Sequence, residues 1–227
     1  MDLLLLWDID GTLLSSGGAG MRALQAAFQK EFVPNGLLDD IEFGGRTDRW
    51  IMRRIFEKFG LEASEANFVR LTEAYLHNLP AAMASGPAHV LPGVRDLLMQ
   101  ASERPRVAQG LLTGNIKRGA AVKLGFHGLW ETFHFGAFGD DSELRNELGP
   151  HALRRARERH GYEFPPGKVW IIGDTPHDIA CARVIGANSL AVATGGHTAE
   201  VLARSEPTAL LPDLSQPDAF WQALTQG

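Results

Sequence analysis

The apolar residues of this chain fall into short continuous runs that alternate with longer stretches of helical period. The clearest short run is Leu3 to Trp7, which has no polar alternation and therefore predicts a strand buried on both faces. Further short runs predict strands at 106–112, 133–138, 168–172, 189–193 and 209–211. Strands that alternate with helices predict an α/β fold with a parallel sheet covered on both faces.

The helices predicted between these strands have recognisable ends. One begins after Pro92-Gly93, and a second covers 116–124 and is closed by Gly125. A basic helix is predicted at 151–160, another at 176–185 that ends before Gly186, and a short one after Thr198. Each helix would connect one parallel strand to the next.

One long segment lacks strand patterns. From about residue 19 to 88 the apolar residues recur at helical spacing, as in Phe68, Leu71, Tyr75 and Leu79. We therefore expect a helical domain at 17–89, inserted into an α/β core domain formed by 1–16 and 90–227.

Charge and composition exclude some classes of function. The 227 residues carry a net charge of −5 and no basic run, so a nucleic acid partner is not expected. No segment has the length and apolarity of a membrane span, and the first apolar run is too short for a signal peptide. A single cysteine, Cys181, excludes an internal disulfide and falls on an apolar helix, where it predicts packing. We expect a cytoplasmic protein.

Acidic residues follow two of the predicted buried strands. The first motif is Asp8-Ile9-Asp10-Gly11-Thr12, and the second is Gly173-Asp174-Thr175-Pro176-His177-Asp178. Carboxyl ends of parallel strands meet at the ligand-binding edge of an open sheet, where converging carboxylates need a cation. Their oxygen ligands predict Mg²⁺ and phosphate chemistry. The alternatives are an Asp-Gly turn after the first strand and helix capping by Asp178.

A third polar motif, Thr113-Gly114-Asn115, lies between a predicted strand and a helix. A hydroxyl and free backbone N–H groups at such a helix start can bind an anion, and Gly114 permits close approach. Capping of the helix by Thr113 or Asn115 explains the same residues.

These motifs together resemble the haloacid dehalogenase superfamily, in its phosphoglycolate phosphatase and β-phosphoglucomutase-like subgroup. The resemblance covers nearly the whole chain and implies a Rossmann-like doubly wound core with an inserted α-helical cap. It makes Asp8 the nucleophile and Asp10 the acid/base. The metal ligands would be Asp8, Asp10 and Asp174, and Asp178 would hold these ligands in position without contacting the metal.

The resemblance also implies a phosphate-binding set. Thr113, Gly114 and Asn115 match the second motif of the family. Its third motif is a basic residue, usually lysine, and Arg145 stands in the matching stretch. Lys117 and Lys123 compete for that position, although Lys123 lies on a helix where it could simply be solvated.

A loop in the helical segment, Gly44-Gly45-Arg46-Thr47-Asp48, resembles the family's cap loop. Arg46 could then contact a distal carboxylate or phosphate of the substrate. The alternative is an ordinary turn in which Thr47 or Asp48 caps the next helix. His177 is interpreted as a bystander, because Mg²⁺ prefers oxygen ligands.

The resulting hypothesis is a Mg²⁺-dependent phosphatase that hydrolyses a small-molecule phosphate monoester through an aspartyl-phosphate. Phosphoglycolate is the first substrate suggested by the resemblance. A phosphomutase of the β-phosphoglucomutase kind is the alternative enzyme, and a catalytically silent binding protein is the alternative of another class. The chain is expected to be a monomer or a homodimer.

Overall fold

A computed structural model of the protein describes residues 3–225. Within this range the strands, in chain order, are β1 (Leu3–Trp7), β2 (Leu14–Ser15), β3 (His89–Val90), β4 (Val107–Leu112), β5 (Gly136–Ala137), β6 (Val169–Gly173), β7 (Asn188–Val192) and β8 (Ala209–Leu211). The helices are α1 (Ala19–Glu31), α2 (Asp48–Lys58), α3 (Glu65–Ala84), α4 (Val94–Glu103), α5 (Lys117–Phe126), α6 (Leu148–His160), α7 (Pro176–Val184), α8 (Ala199–Ala203) and α9 (Pro217–Ala223). None of the described helices combines the length and apolarity that crossing a bilayer requires.

The main sheet is parallel, as predicted, with strand order β5-β4-β1-β6-β7-β8. Strand β1 lies between β4 and β6, and Trp7 is level with Leu111 of β4 and Ile172 of β6. After β4 and β5 the chain crosses to the other side of β1 to form β6, so the strand order reverses between β1 and β6. Ligands bind at such a reversal in open α/β sheets.

The unbroken apolar run of β1 is explained by burial on both faces of the sheet. Leu5 and Trp7 pack with α4, α5 and α9, while Leu4 and Leu6 pack with α6 and α7. All four side chains are fully buried, and each leucine contributes about 1.5–3 kcal/mol of transfer free energy.

Helices α1, α2 and α3 form a further hydrophobic cluster, which is separate from those that flank the sheet. As predicted, no strand forms within residues 19–88 of the described chain. Where the chain enters and leaves this helical segment, β2 and β3 pair antiparallel, with Leu14 opposite Val90. This short ribbon was not predicted.

The structure differs from the local predictions at three further points. Helix α5 continues through Gly125 to Phe126, and the left-handed residue that follows it is Gly128, with φ of 70°. Strand β5 is shorter than the apolar run that predicted it, because Phe133 turns into the α5 side of the core instead of extending the strand. Helix α9 was not predicted, and it stacks Phe220 on Trp7 with ring centroids 5.5 Å apart.

Candidate functional site

Three buried carboxylates meet at the carboxyl ends of β1 and β6. Asp8 follows β1 directly, Asp174 follows β6, and Asp178 lies in the first turn of α7. One oxygen from each lies within 4.8 Å of the others. The strand order thus brings together side chains that are more than 160 residues apart in sequence, as the two acidic motifs predicted.

Backbone geometry around Gly11 fixes this arrangement. Gly11 has φ of 78° and donates its N–H to the Leu14 carbonyl at 2.8 Å, which turns the chain back just after the motif. A Cβ at Gly11 would overlap the Asp174 carboxylate, so no larger residue fits there. The Thr12 hydroxyl then donates to Asp174 Oδ1 at 3.3 Å.

Arg145 is buried among the same carboxylates. Its Nη2 lies 3.2 Å from Asp8 Oδ1 and donates to Asp178 Oδ1. Asp178 Oδ2 accepts from the Thr175 backbone N–H at 3.0 Å and from its hydroxyl at 2.7 Å. Both Asp178 oxygens are therefore engaged, one by the capping box of α7 and one by Arg145.

The buried carboxylates of this cluster have too little positive charge around them to keep their ordinary pKa values. Burial raises the pKa of Asp8 to about 6, although Arg145 opposes the shift. Burial, with repulsion from Asp8 and Asp178, raises the pKa of Asp174 to about 8. Buried carboxylate oxygens at this spacing are the donor set that hard divalent cations prefer, so the residues fit a metal site.

Asp10 lies beside this cluster and has its own basic partner. Its Oδ2 accepts from Lys123 Nζ at 2.6 Å and from Asn115 Nδ2 at 2.9 Å. Burial alone would raise the pKa of Asp10, but the attraction of Lys123 outweighs it and the pKa lies below its ordinary value.

The expectation that Lys123 could be solvated is wrong. Its side chain is 6% exposed, and Nζ also donates to Asn115 Oδ1 at 2.6 Å. The reason is that α3 of the helical segment covers this face of α5. The sequence contains an indication of this burial. Lys123 shares a helical face with the small residues Gly119 and Ala120, and both of them are buried.

The Thr113-Gly114-Asn115 motif follows β4 and adjoins the same carboxylates. Thr113 is fully buried, and its Oγ1 accepts from the Asn115 backbone N–H at 3.3 Å and from Nδ2 at 2.9 Å. Asn115 in turn connects Thr113 to Asp10. The motif therefore orients Asn115 toward Asp10.

The N–H groups expected to be free at the start of α5 are occupied. The Ile116 N–H donates to Asp48 Oδ2 at 2.8 Å, and the Lys117 N–H donates to Asp140 Oδ2. Asp48 comes from the helical segment, and its own N–H donates to the Gly114 carbonyl at 2.8 Å. A pattern local to the motif could not show that a distant carboxylate caps this helix.

Both interpretations of the Arg46 loop describe part of the structure. Thr47 caps α2 by accepting from the Trp50 N–H at 3.2 Å. Arg46 lines the cavity above the carboxylates, but its Nη2 pairs with Glu42 at 2.7 Å and its guanidinium stacks 4.3 Å from the Trp50 ring centroid. His177 also faces Glu42, at 3.8 Å.

A cavity of about 600 Å³ joins these groups. Its floor includes Asp8, Asp10 and Asp174, and its opposite wall comes from the helical segment. The volume lies in the usual range for small-molecule sites.

Known proteins resemble this chain in sequence. The profile of the haloacid dehalogenase-like hydrolases matches residues 5–183. Curated relatives include proteins named phosphoglycolate phosphatase from Synechococcus elongatus, 27% identical over 98% of this chain and 97% of that protein, and from Aliivibrio fischeri, 25% identical over 90% and 89%.

Similar folds occur among solved structures. A hydrolase from Pseudomonas syringae has a TM-score of 0.74 at 19% identity and covers 98% of both chains. CbbY from Rhodobacter sphaeroides in complex with phosphate has a TM-score of 0.72 at 19% identity, over 95% of this chain and 96% of that one. These likenesses support the fold, and the profile match decides the family. This chain belongs to the haloacid dehalogenase-like hydrolases.

Proposed function

We propose that the protein is a Mg²⁺-dependent phosphatase that hydrolyses a small-molecule phosphate monoester through an aspartyl-phosphate on Asp8. One observation carries the proposal. Asp8 and Asp10 are two residues apart yet have different basic partners, Arg145 for Asp8 and Lys123 for Asp10. Unlike surroundings give the two carboxylates different pKa values, which a nucleophile and a general acid/base require.

The metal would be held by Asp8, Asp174 and the backbone carbonyl of Asp10. Asp178 would support them, because both of its oxygens are already engaged by Arg145 and Thr175. When bound, Mg²⁺ supplies charge neutralisation to the phosphate and to the carboxylates.

The covalent steps follow from the two aspartates. An Asp8 oxygen attacks phosphorus while the bond from phosphorus to the ester oxygen breaks, and Asp10 donates a proton to the leaving alkoxide. Asp10 then takes a proton from the water that attacks the aspartyl-phosphate, which releases inorganic phosphate and restores Asp8. A phosphate dianion close to Asp10 would raise its pKa, which favours the protonated form needed in the first step.

The phosphoryl oxygens would be held by Thr113, Gly114, Asn115 and Arg145. Thr113 Oγ1 accepts its two hydrogen bonds from Asn115, so its own O–H proton is available for a phosphoryl oxygen. Arg145 presents a guanidinium, which can bind phosphate oxygens in a bidentate manner.

The helical segment at 17–89 would serve as the cap over a core formed by 1–16 and 90–227. It supplies the wall opposite the carboxylates, and the paired strands β2 and β3 connect it to the core. Closure over the substrate would exclude bulk water from the aspartyl-phosphate. Phosphoglycolate is the first substrate to test, because curated relatives are named phosphoglycolate phosphatase. The side chains of the cap wall would select among phosphate esters, since the fold alone does not set the substrate.

The test is a panel of phosphate monoesters, phosphoglycolate among them, assayed for inorganic phosphate with Mg²⁺ and with EDTA. We expect EDTA-sensitive hydrolysis that Asp8→Asn lowers by at least about a thousandfold. Asp96→Asn makes the same chemical change at an exposed position of α4 and should keep full activity. Wild-type turnover in Asp8→Asn would refute the nucleophile. Formation of an isomeric ester without phosphate release would identify a phosphomutase instead.

A further inference from the structure

The cavity wall formed by the helical segment would face the leaving group of the substrate. This wall offers little positive charge for a second acidic group on that substrate. Helices α1, α2 and α3 contribute apolar side chains to it, including Met21, Leu24, Ile51 and Met52. Glycines of the two loops of the segment, among them Gly17, Gly18, Gly44 and Gly45, also line this wall. Most of the surface available to a leaving group is therefore apolar.

The positive charge on this wall is already paired. In the described part of the helical segment, Arg46 is the one lysine or arginine that lines the cavity. Its Nε and Nη2 lie 3.0 and 2.7 Å from Glu42 Oε2, and its guanidinium stacks on Trp50. An incoming carboxylate would have to compete with Glu42 for this group.

The other charged residue of this wall has the wrong sign for an anion. Asp48 lines the cavity, and its carboxylate is held in place by the Ile116 N–H. Lys123 and Arg145, on the core side, are paired with Asp10 and with Asp8 and Asp178. A second anionic group on the substrate would thus lose its water without gaining an unpaired cation.

We propose that the leaving group of the natural substrate is an uncharged, largely apolar alcohol, so that the phosphate is the only anionic group of the ester. This inference rests on the proposed phosphatase function and deepens it. It disfavours phosphoglycolate and bisphosphates, whose second anionic groups would face Asp48 and the apolar helices. Selection arises because the wall rejects charge, which is a stronger discriminator than apolar fit alone.

The experiment compares two aryl esters of nearly the same shape. In 4-carbamoylphenyl phosphate the ring carries a neutral amide, and in 4-carboxyphenyl phosphate it carries a carboxylate. We expect kcat/KM to be at least about tenfold higher for the amide in the wild-type protein with Mg²⁺. Phosphoglycolate should be the poorer substrate as well.

A charge variant tests whether the wall causes this preference. Met21 lines the cavity and is 46% exposed, so Met21→Lys adds a cation at little cost to folding. It should raise kcat/KM for the carboxylate ester several-fold and reduce the preference for the amide. Met99→Lys is the matched control, because Met99 is 55% exposed on α4 and does not line the cavity. It should leave both values unchanged.

The outcomes separate the two proposals. Hydrolysis of both esters with equal or higher kcat/KM for the carboxylate overturns the proposed substrate class and leaves the phosphatase function intact. An unchanged preference in Met21→Lys also counts against control by this wall. Absence of EDTA-sensitive hydrolysis of every ester overturns the phosphatase function, and the substrate class with it.

Discussion

Replacement of Lys123 by methionine tests the buried pair between Lys123 and Asp10, which the sequence did not predict. Lys123 Nζ donates to Asp10 Oδ2 and to Asn115 Oδ1, at 2.6 Å in each case. Methionine keeps the apolar stem of the side chain, so α5 can still pack against α3. The substitution therefore removes mainly the charge and its two hydrogen bonds.

The expected cost follows from burial of the pair. Removing one partner of a fully buried ion pair costs about 3–5 kcal/mol, because the other charge is left unpaired. The Lys123 side chain is 6% exposed, but the Asp10 side chain is 36% exposed and opens into the cavity, where water screens it. We therefore expect a loss of about 2 kcal/mol in the free energy of unfolding at pH 7.

The pH dependence of this loss has a definite sign. The pKa of Asp10 in the folded protein lies below its ordinary value of 3.8, so its stabilising contribution is present above that value. The contribution disappears as the pH falls through the lower pKa of the folded state. The deficit of Lys123→Met should accordingly be largest near neutral pH and shrink in acid.

Urea unfolding followed by tryptophan fluorescence measures this free energy, and Lys117→Met is the control. Lys117 is exposed on the same helix, and its replacement should change stability by less than about 0.5 kcal/mol. A loss in Lys123→Met no larger than in the control, or a deficit that grows as the pH falls, would refute the buried pair. Phosphatase activity should fall as well, because Asp10 loses its positioning partner.

Other parts of the site give further predictions. Because burial and neighbouring carboxylates raise the pKa of Asp174 to about 8, the metal-free protein should lose thermal stability as the pH rises from 6 to 8. Thermal scans with and without Mg²⁺ should show a larger stabilisation by Mg²⁺ at pH 8 than at pH 6. Equal stabilisation at the two pH values would contradict this. A methyl group in Gly114→Ala would overlap the Arg46 carbonyl and should cost about 1–3 kcal/mol in urea unfolding. Gly125→Ala, with open space around it, should be neutral or stabilising by up to about 1 kcal/mol. Burial raises the pKa of the Cys181 thiol to about 11, so a thiol reagent at pH 8 should modify it only after unfolding, and rapid modification of the native protein would contradict this.

The parts of the fold that the sequence predicted are those set by local patterns. The apolar runs before Asp8, Thr113 and Asp174 predicted β1, β4 and β6, and parallel pairing then brings their carboxyl ends to one edge. Helix α9 and the ribbon of β2 and β3 were missed because each is short and is stabilised by distant partners. Trp7 supplies such a partner for α9, through its stacking on Phe220.

The parts of the site that were missed depend on contacts between the helical segment and the core. Capping of α5 by Asp48 and burial of Lys123 both require α2 and α3 to lie over α5, which no periodicity within α5 can show. Asp8, Thr113 and Asp174, which lie where the sequence predicted them, sit at strand ends, and Asp178 lies in the first turn of α7. Those that differ sit where two separate hydrophobic clusters meet.

The family's third motif predicts one basic residue in the site, whereas the structure has two buried there. Arg145, Lys117 and Lys123 compete for that position in the sequence, whereas in the structure Arg145 pairs with Asp8 and Asp178 and Lys123 pairs with Asp10. With Asp174 and Asp178 included, the four aspartates that follow β1 and β6 outnumber these two basic side chains by two, and Asp48 adds a fifth carboxylate near Lys123. A divalent cation would carry charge that offsets this excess, which arises where burial and repulsion from Asp8 and Asp178 raise the pKa of Asp174. Charge balance therefore supports a divalent metal independently of the spacing of the oxygen atoms.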